Sequence, residues 1–148
     1  MMKIWWLLIP ALLLVWPATS GAEETWVGSV KQLKGSAEIE RQGKVVRAEV
    51  GTRLFRNDTI RTGDDGSVGL IMTDNSVLSL GPGSRLTISE YVFDPAGKKT
   101  SFTARMLKGT AVYLSGLIAK LNQRGVRFET QTAVMGIRGT RFAIQVKE

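Results

Sequence analysis

Between Gly51 and Ser89 no apolar run goes far before a turn signal interrupts it. Arg56-Asn57-Asp58, Gly63-Asp64-Asp65-Gly66, Asp74-Asn75 and Gly81-Pro82-Gly83 follow one another at intervals of about eight to ten residues. A helix needs roughly ten or more uninterrupted residues to present an apolar face, and this spacing denies it that length. What lies between the turns alternates at period two, as a half-buried strand does. Thr59–Thr62, Ser67–Thr73, Ser76–Leu80 and Arg85–Phe93 are strands on this reading, the last with Leu86, Ile88 and Val92 inward. Asn and Asp suit the turns because they tolerate left-handed backbone and hydrogen-bond to it locally.

The pattern extends in both directions. Trp26–Leu33 is a first strand, and Ser36–Arg41 follows with Ala37 and Ile39 inward. Gln42-Gly43 turns the chain into a hairpin partner, Lys44–Ala48, and Gly51 introduces Thr52–Phe55. Beyond the polar loop Asp94–Lys99, Thr100–Leu107 and Thr110–Leu114 are two strands separated by a Lys108-Gly109 turn. Ser115–Arg124 is the one helix-like piece, at most two turns. In it Leu117, Ile118 and Leu121 share a face, Ser115 caps the start and Gly125 ends it. Val126–Thr130 alternates again. Thr140–Val146 closes the chain with Phe142, Ile144 and Val146 on one side and Arg141 and Gln145 on the other. About ten short strands with almost no helix predict an all-β fold. The turn spacing suits a solenoid-like ladder of stacked strands, with a β-sandwich as the alternative.

The amino terminus is read separately. Met1-Met2-Lys3 precedes an apolar run, Ile4–Trp16, and then Pro17-Ala18-Thr19-Ser20-Gly21-Ala22. A short positive lead, an apolar stretch below the ~20 residues of a membrane-spanning helix, and a small-residue tail form a secretory signal pattern. Residues 1–22 are therefore expected to be removed, leaving one domain over 23–148 with no stable transmembrane anchor. Export places the protein in the periplasm or outside the cell. Only Lys3 among the charges is lost with the leader, so 19 basic residues remain against 13 acidic ones. In the cytosol such a balance would raise nucleic acid first; after export the available anions are envelope ones, and no nucleic-acid partner is expected.

Composition excludes much chemistry. The chain has no cysteine and no histidine, so disulfides, thiolate metal sites, cysteine nucleophiles and Ser-His-Asp triads are impossible within it. No S-x-x-K pattern occurs, and nothing pairs two carboxylates across a cleft as a glycosidase requires. Asn57-Asp58, Asp64-Asp65 and Asp74-Asn75 do not follow the calcium-loop spacing, and turn chemistry accounts for them. The expectation is a non-enzymatic protein without metal or cofactor.

One stretch near the carboxyl end stands out, Thr132-Ala133-Val134-Met135-Gly136-Ile137-Arg138-Gly139-Thr140-Arg141-Phe142. Gly136 and Gly139 permit positive φ or close backbone approach, so the segment reads as a kinked entry into the last strand with Arg138 aimed by the kink. It lacks the Lys-Ser/Thr of a nucleotide loop. Arg138 either ties layers together, by capping carbonyls or pairing with an acid such as Asp58, or it binds an anionic ligand or a partner carboxylate together with Arg141.

Three stretches, in order, resemble the FecR-like periplasmic domain family. They are Val50-Gly51-Thr52-Arg53-Leu54 with Asn57-Asp58-Thr59-Ile60-Arg61-Thr62-Gly63, Gly66-Ser67-Val68-Gly69-Leu70 with Asp74–Leu80, and Thr132–Phe142. The resemblance implies an all-β fold of solenoid-like character and a binding or signalling module that works through an envelope protein partner. It makes Gly136, Gly139, Thr140, Asp58 and Gly63 parts of a fold signature. In the ferric-citrate-sensor branch the domain relays receptor occupancy to a sigma factor through a membrane helix and a cytosolic segment. Here only three residues precede the apolar run, and the stand-alone exported form is the better match. The functions expected are protein interaction, including strand addition at an open sheet edge, with reception of an anionic envelope ligand (lipopolysaccharide or glycan) or structural scaffolding as alternatives.

Overall fold

The computed structural model describes residues 24–147, together with Pro17, Ala18 and Gly21. The expected signal segment, and its cleavage after Ala22, lie outside the described residues. Twelve strands and one short helix follow in order: β1 Gly28–Lys34, β2 Ala37–Arg41, β3 Lys44–Arg47, β4 Arg53–Leu54, β5 Thr59–Thr62, β6 Ser67–Met72, β7 Val77–Leu80, β8 Arg85–Asp94, β9 Lys99–Leu114, α1 Leu117–Leu121, β10 Val126–Glu129, β11 Val134–Gly136 and β12 Arg141–Val146. The chain is all-β, and the sheet curls into a half-barrel.

The stacked coils of a ladder are not what the pairing displays. Every strand pair but β9–β10 is antiparallel, and consecutive strands such as β2–β3, β6–β7 and β8–β9 form hairpins. Turns every eight to ten residues suit a hairpin meander as well as a coil, which is why spacing alone pointed to the ladder.

The organising element is β9. Sequence places a turn at Lys108-Gly109, yet the strand runs on for 16 residues. Its first part pairs with β8 on one side and β10 on the other; its last six residues pair with β7 and β12. Two layers therefore share one strand, β3-β2-β5-β8-β9-β10-β11 and β12-β9-β7-β6-β1-β4. Gly109 makes the change of layer with φ at +92°, a conformation that side chains resist. A Cβ there would also collide with Ser84. The Ser84 hydroxyl donates to the Thr110 carbonyl (3.1 Å) and accepts from the Thr110 amide (3.0 Å), fastening the bend.

The core lies between the two layers. Ile39, Ile60, Leu86, Ile88 and Met106 from one face meet Leu54, Leu70, Met72, Leu78 and Leu80 from the other, all buried. Five aromatic rings bridge them: Tyr91, Phe102, Tyr113, Phe128 and Phe142, with neighbouring centroids 5.5–6.2 Å apart. Such offset and edge contacts add to the area term of burial. Ala37, Ile39, Leu86 and Ile88 point inward as read from the alternation. Val92 does not, because a register shift between Ile88 and Glu90 puts Tyr91 inside instead. Asn57 and Asn75 take the left-handed conformation expected of turn asparagines, at φ of 71° and 66°.

The helix is shorter than the 115–124 segment expected. Gly116, not Ser115, precedes it, and no side chain of its own caps it. Asp74 from the β6–β7 turn does so instead: its carbonyl accepts from the Leu117 amide (2.8 Å) and its carboxylate from the Ile118 amide (3.2 Å). Only Ile118 is buried, while Leu117 and Leu121 are exposed. Among the described residues no helix is long and apolar enough to cross a membrane.

Candidate functional site

The Gly136–Phe142 segment is anchored by a residue that sequence reasoning passed over. Ile137 is buried in the core, and its amide donates to the Val126 carbonyl (3.1 Å). On the far side Ser115 holds the backbone twice, its hydroxyl donating to the Gly139 carbonyl (2.6 Å) and its amide to the Thr140 carbonyl (2.9 Å). An inward Ile137 between two tethers forces its neighbour Arg138 outward. The apolar residue inside G-I-R-G was the available signal for this anchor.

Gly139 has φ at +108°, so the kink expected there is present. Gly136 needs no such freedom: it lies in β11, opposite Arg127 of β10, with open space where a Cβ would go. Thr140 is exposed and acts through its carbonyl. Arg138 is exposed at the rim of a shallow depression formed with Ala119, Gln123, Ile137 and Gly139. It makes no hydrogen bond or ion pair with any described residue. Arg141, the first residue of β12, is likewise exposed and unpaired.

Asp58 is not the partner of Arg138. Its buried carboxylate is held by Arg41, with Nε to Oδ1 at 2.9 Å and Nη2 to Oδ2 at 2.8 Å, and it accepts the Phe55 amide at 2.8 Å. That fork keeps the Arg41 guanidinium above its ordinary pKa, chiefly through the hydrogen bond to Asp58. Nothing in the spacing of residues 41 and 58 announces the pair; antiparallel β2–β5 pairing creates it. Gly63 closes the turn after β5, its amide donating to the Ser36 carbonyl (2.9 Å).

The other turn aspartates have local tasks. Asp65 accepts the Ser36 hydroxyl (3.1 Å). Asp74, fully buried, accepts from the Ser76 hydroxyl (2.6 Å), the Tyr91 hydroxyl (3.1 Å) and α1. Burial raises the pKa of Tyr91, with the Asp74 charge adding to it. Tyr113 is pushed up to about 12, first by burial and then by the Asp74 charge, and its hydroxyl finds no partner of good hydrogen-bond geometry. Among the described residues no three acidic side chains gather as a metal site would need.

The carboxyl-terminal segment is distinctive in charge. Residues 115–147 contain Lys120, Arg124, Arg127, Arg138, Arg141 and Lys147 against one acid, Glu129. All six cations are exposed, and none forms an ion pair with a described residue. Ion pairs among the described residues include Arg41–Asp58, Arg61–Glu40 and Arg85–Glu40, all outside this segment. Beside these cations runs an open edge: β12 pairs with β9 on one side and, among the described residues, with nothing on the other. Its inward residues Phe142, Ile144 and Val146 are only partly covered.

Residues 58–148 match the family described as FecR protein. No curated protein matches the chain, and no solved structure does.

Proposed function

The chain belongs to the FecR protein family, and from that premise we propose that it is a non-enzymatic signalling-type module of the cell envelope that binds a partner protein along the outer edge of β12. The observation that carries this reading is the six-residue open edge lying beside unpaired cations. A strand added there would satisfy backbone groups that now face solvent, at about 0.5–1.5 kcal/mol net per hydrogen bond. The half-covered Phe142, Ile144 and Val146 would gain apolar cover from the partner. Arg138, Arg141 and Lys147 select an acidic segment and set its register. The leader pattern of residues 1–22 supports a periplasmic or extracellular location, and the absence of cysteine and histidine supports binding over catalysis.

The test is affinity purification from crosslinked periplasm with the wild type and with Arg138→Glu/Arg141→Glu. Both side chains are exposed and unpaired, so the variant should melt within a few degrees of the wild type. A partner recovered by the wild type and lost by the variant supports the reading. Equal recovery by both, or a partner held elsewhere on the surface, refutes it.

A second reading rests on Leu117 and Leu121, exposed one helical turn apart among the same cations. Apolar side chains beside unpaired Lys and Arg suit the phosphates and acyl chains of an anionic envelope lipid. Salt-sensitive flotation with vesicles containing lipopolysaccharide, lost in Leu117→Ser/Leu121→Ser, would favour it over the protein partner.

A further inference from the structure

At the opposite edge of the layer from β12, the segment Glu24–Trp26 crosses the surface beside β4, with a depression on each side. One, of about 680 Å³, is lined by Arg41, Gln42, Arg53 and Phe55. The other, of about 430 Å³, is lined by Arg56, Tyr91, Phe93 and Asp94. Trp26 borders both and is 41% exposed, although the sequence placed it in the first strand. The guanidinium of Arg53 lies 5.5 Å from the centre of its ring, and that of Arg41 lies 4.5 Å from the Phe55 ring.

We propose that this groove is a saccharide-binding site, with Trp26 as the platform for a sugar ring. The argument is chemical. Aromatic faces with an accessible side take up the C–H face of a pyranose, and tryptophan joins a large apolar face to an N–H that hydrogen-bonds. Arg41 cannot serve as a free charge, because Asp58 and the Arg53 carbonyl hold it; it is a rigid floor stacked on Phe55. With Arg41 neutralised by Asp58, the remaining charged lining is Arg53 and Arg56 against Glu24 and Asp94, so donors and acceptors are in balance and the charges cancel. Hydroxyl groups both donate and accept, and such a rim matches them. It does not match a phosphate or an acidic peptide, which the cation-rich carboxyl-terminal segment suits better. Gln42 adds an amide, which also does both. It holds φ at +51° at the first position of the Gln-Gly turn, where asparagine or glycine fits with less strain.

Trp26 reports its own occupancy, since the other tryptophans, Trp5, Trp6 and Trp16, all precede residue 22. Residues 23–148, the chain after the expected leader, contain all the buried core of the described residues and are the form to test. Titration with chitotetraose, maltotetraose and a galacturonic acid trimer should produce, with at least one of them, a saturable change in tryptophan emission and a matching calorimetric isotherm. Trp26→Ala should weaken the calorimetric affinity about tenfold or more. Gln42→Gly, which keeps the turn conformation, should weaken it severalfold without lowering the melting temperature. Arg138→Glu/Arg141→Glu should leave it unchanged, which separates this site from the β12 edge. No response to any of the three saccharides at millimolar concentration overturns the proposal. So does binding that survives Trp26→Ala, or a response to phosphate or an acidic peptide alone.

Discussion

Replacing Asp58 with alanine removes the most interconnected buried carboxylate on the β2–β5 face. The side chain is fully buried and receives three hydrogen bonds, two from Arg41 and one from the Phe55 amide. A hydrogen bond to a charged group contributes about 1.5–3 kcal/mol net. The two Arg41 bonds must be discounted, because that side chain is 31% exposed and its released guanidinium regains water. The Phe55 amide has less recourse, and an unsatisfied donor costs about 1–3 kcal/mol. The expected loss is therefore about 2–4 kcal/mol. For a domain of this size that corresponds to a fall in melting temperature of roughly 6–16 °C. Arg41→Ala is expected to cost at least as much, since it leaves a buried carboxylate without its cation. In a double-mutant cycle the two should couple by about 1–3 kcal/mol, read by thermal and urea denaturation with a common baseline. A fall below about 3 °C for Asp58→Ala, or strict additivity of the pair, would refute the reasoning and make the fork incidental to stability.

Three further outcomes are expected. Tyr113 has a folded pKa raised to about 12 by burial, so the folded state keeps a proton that the unfolded chain releases near pH 10. Stability is then intact below pH 10 and lost as pH rises through 12; urea denaturation across that window should show the loss, and Tyr113→Phe should reduce it, the remainder coming from Tyr91, which burial also raises. Gly109→Ala, at φ +92° and against Ser84, should lose more than about 2 kcal/mol or fail to fold, as read by circular dichroism and yield. Ile137→Ala should cost about 2–4 kcal/mol for the buried side chain, whereas Arg138→Ala should stay within about 0.5 kcal/mol; equal melting points for the two would contradict the assignment of Ile137 as the anchor.

Much of the fold is legible residue by residue. Alternation and turn chemistry are local, so the strands from Thr59 to Leu80 and the inward set Ala37, Ile39, Leu86 and Ile88 follow from neighbours in the chain. Legibility fails where a distant segment decides. Lys108-Gly109 has the composition of a hairpin turn, and only Ser84, brought alongside by β8, makes it a bend within one strand. The start of α1 is capped by Asp74 rather than by Ser115, two residues before the helix, because the β6–β7 turn arrives there. The bulge after Ile88 exchanges Val92 for Tyr91.

The candidate sites divide in the same way. The glycine-arginine stretch is visible in sequence because its kink is a local backbone requirement, satisfied at Gly139. The partners of its residues are not visible: Asp58 found Arg41 rather than Arg138, and the groove beside Trp26 joins residues from 24 to 94 that share no pattern. Sequence by itself determined the all-β class, the turns, the leader pattern and the chemistry that no cysteine or histidine can perform, because each depends on composition or on contacts within a few residues. Tertiary structure alone decided the half-barrel over the ladder and, among the described residues, the open edge of β12 and the arginine side chains left unpaired near its start. Those depend on which strands lie side by side, and the pairing is set by burying one shared core between two layers.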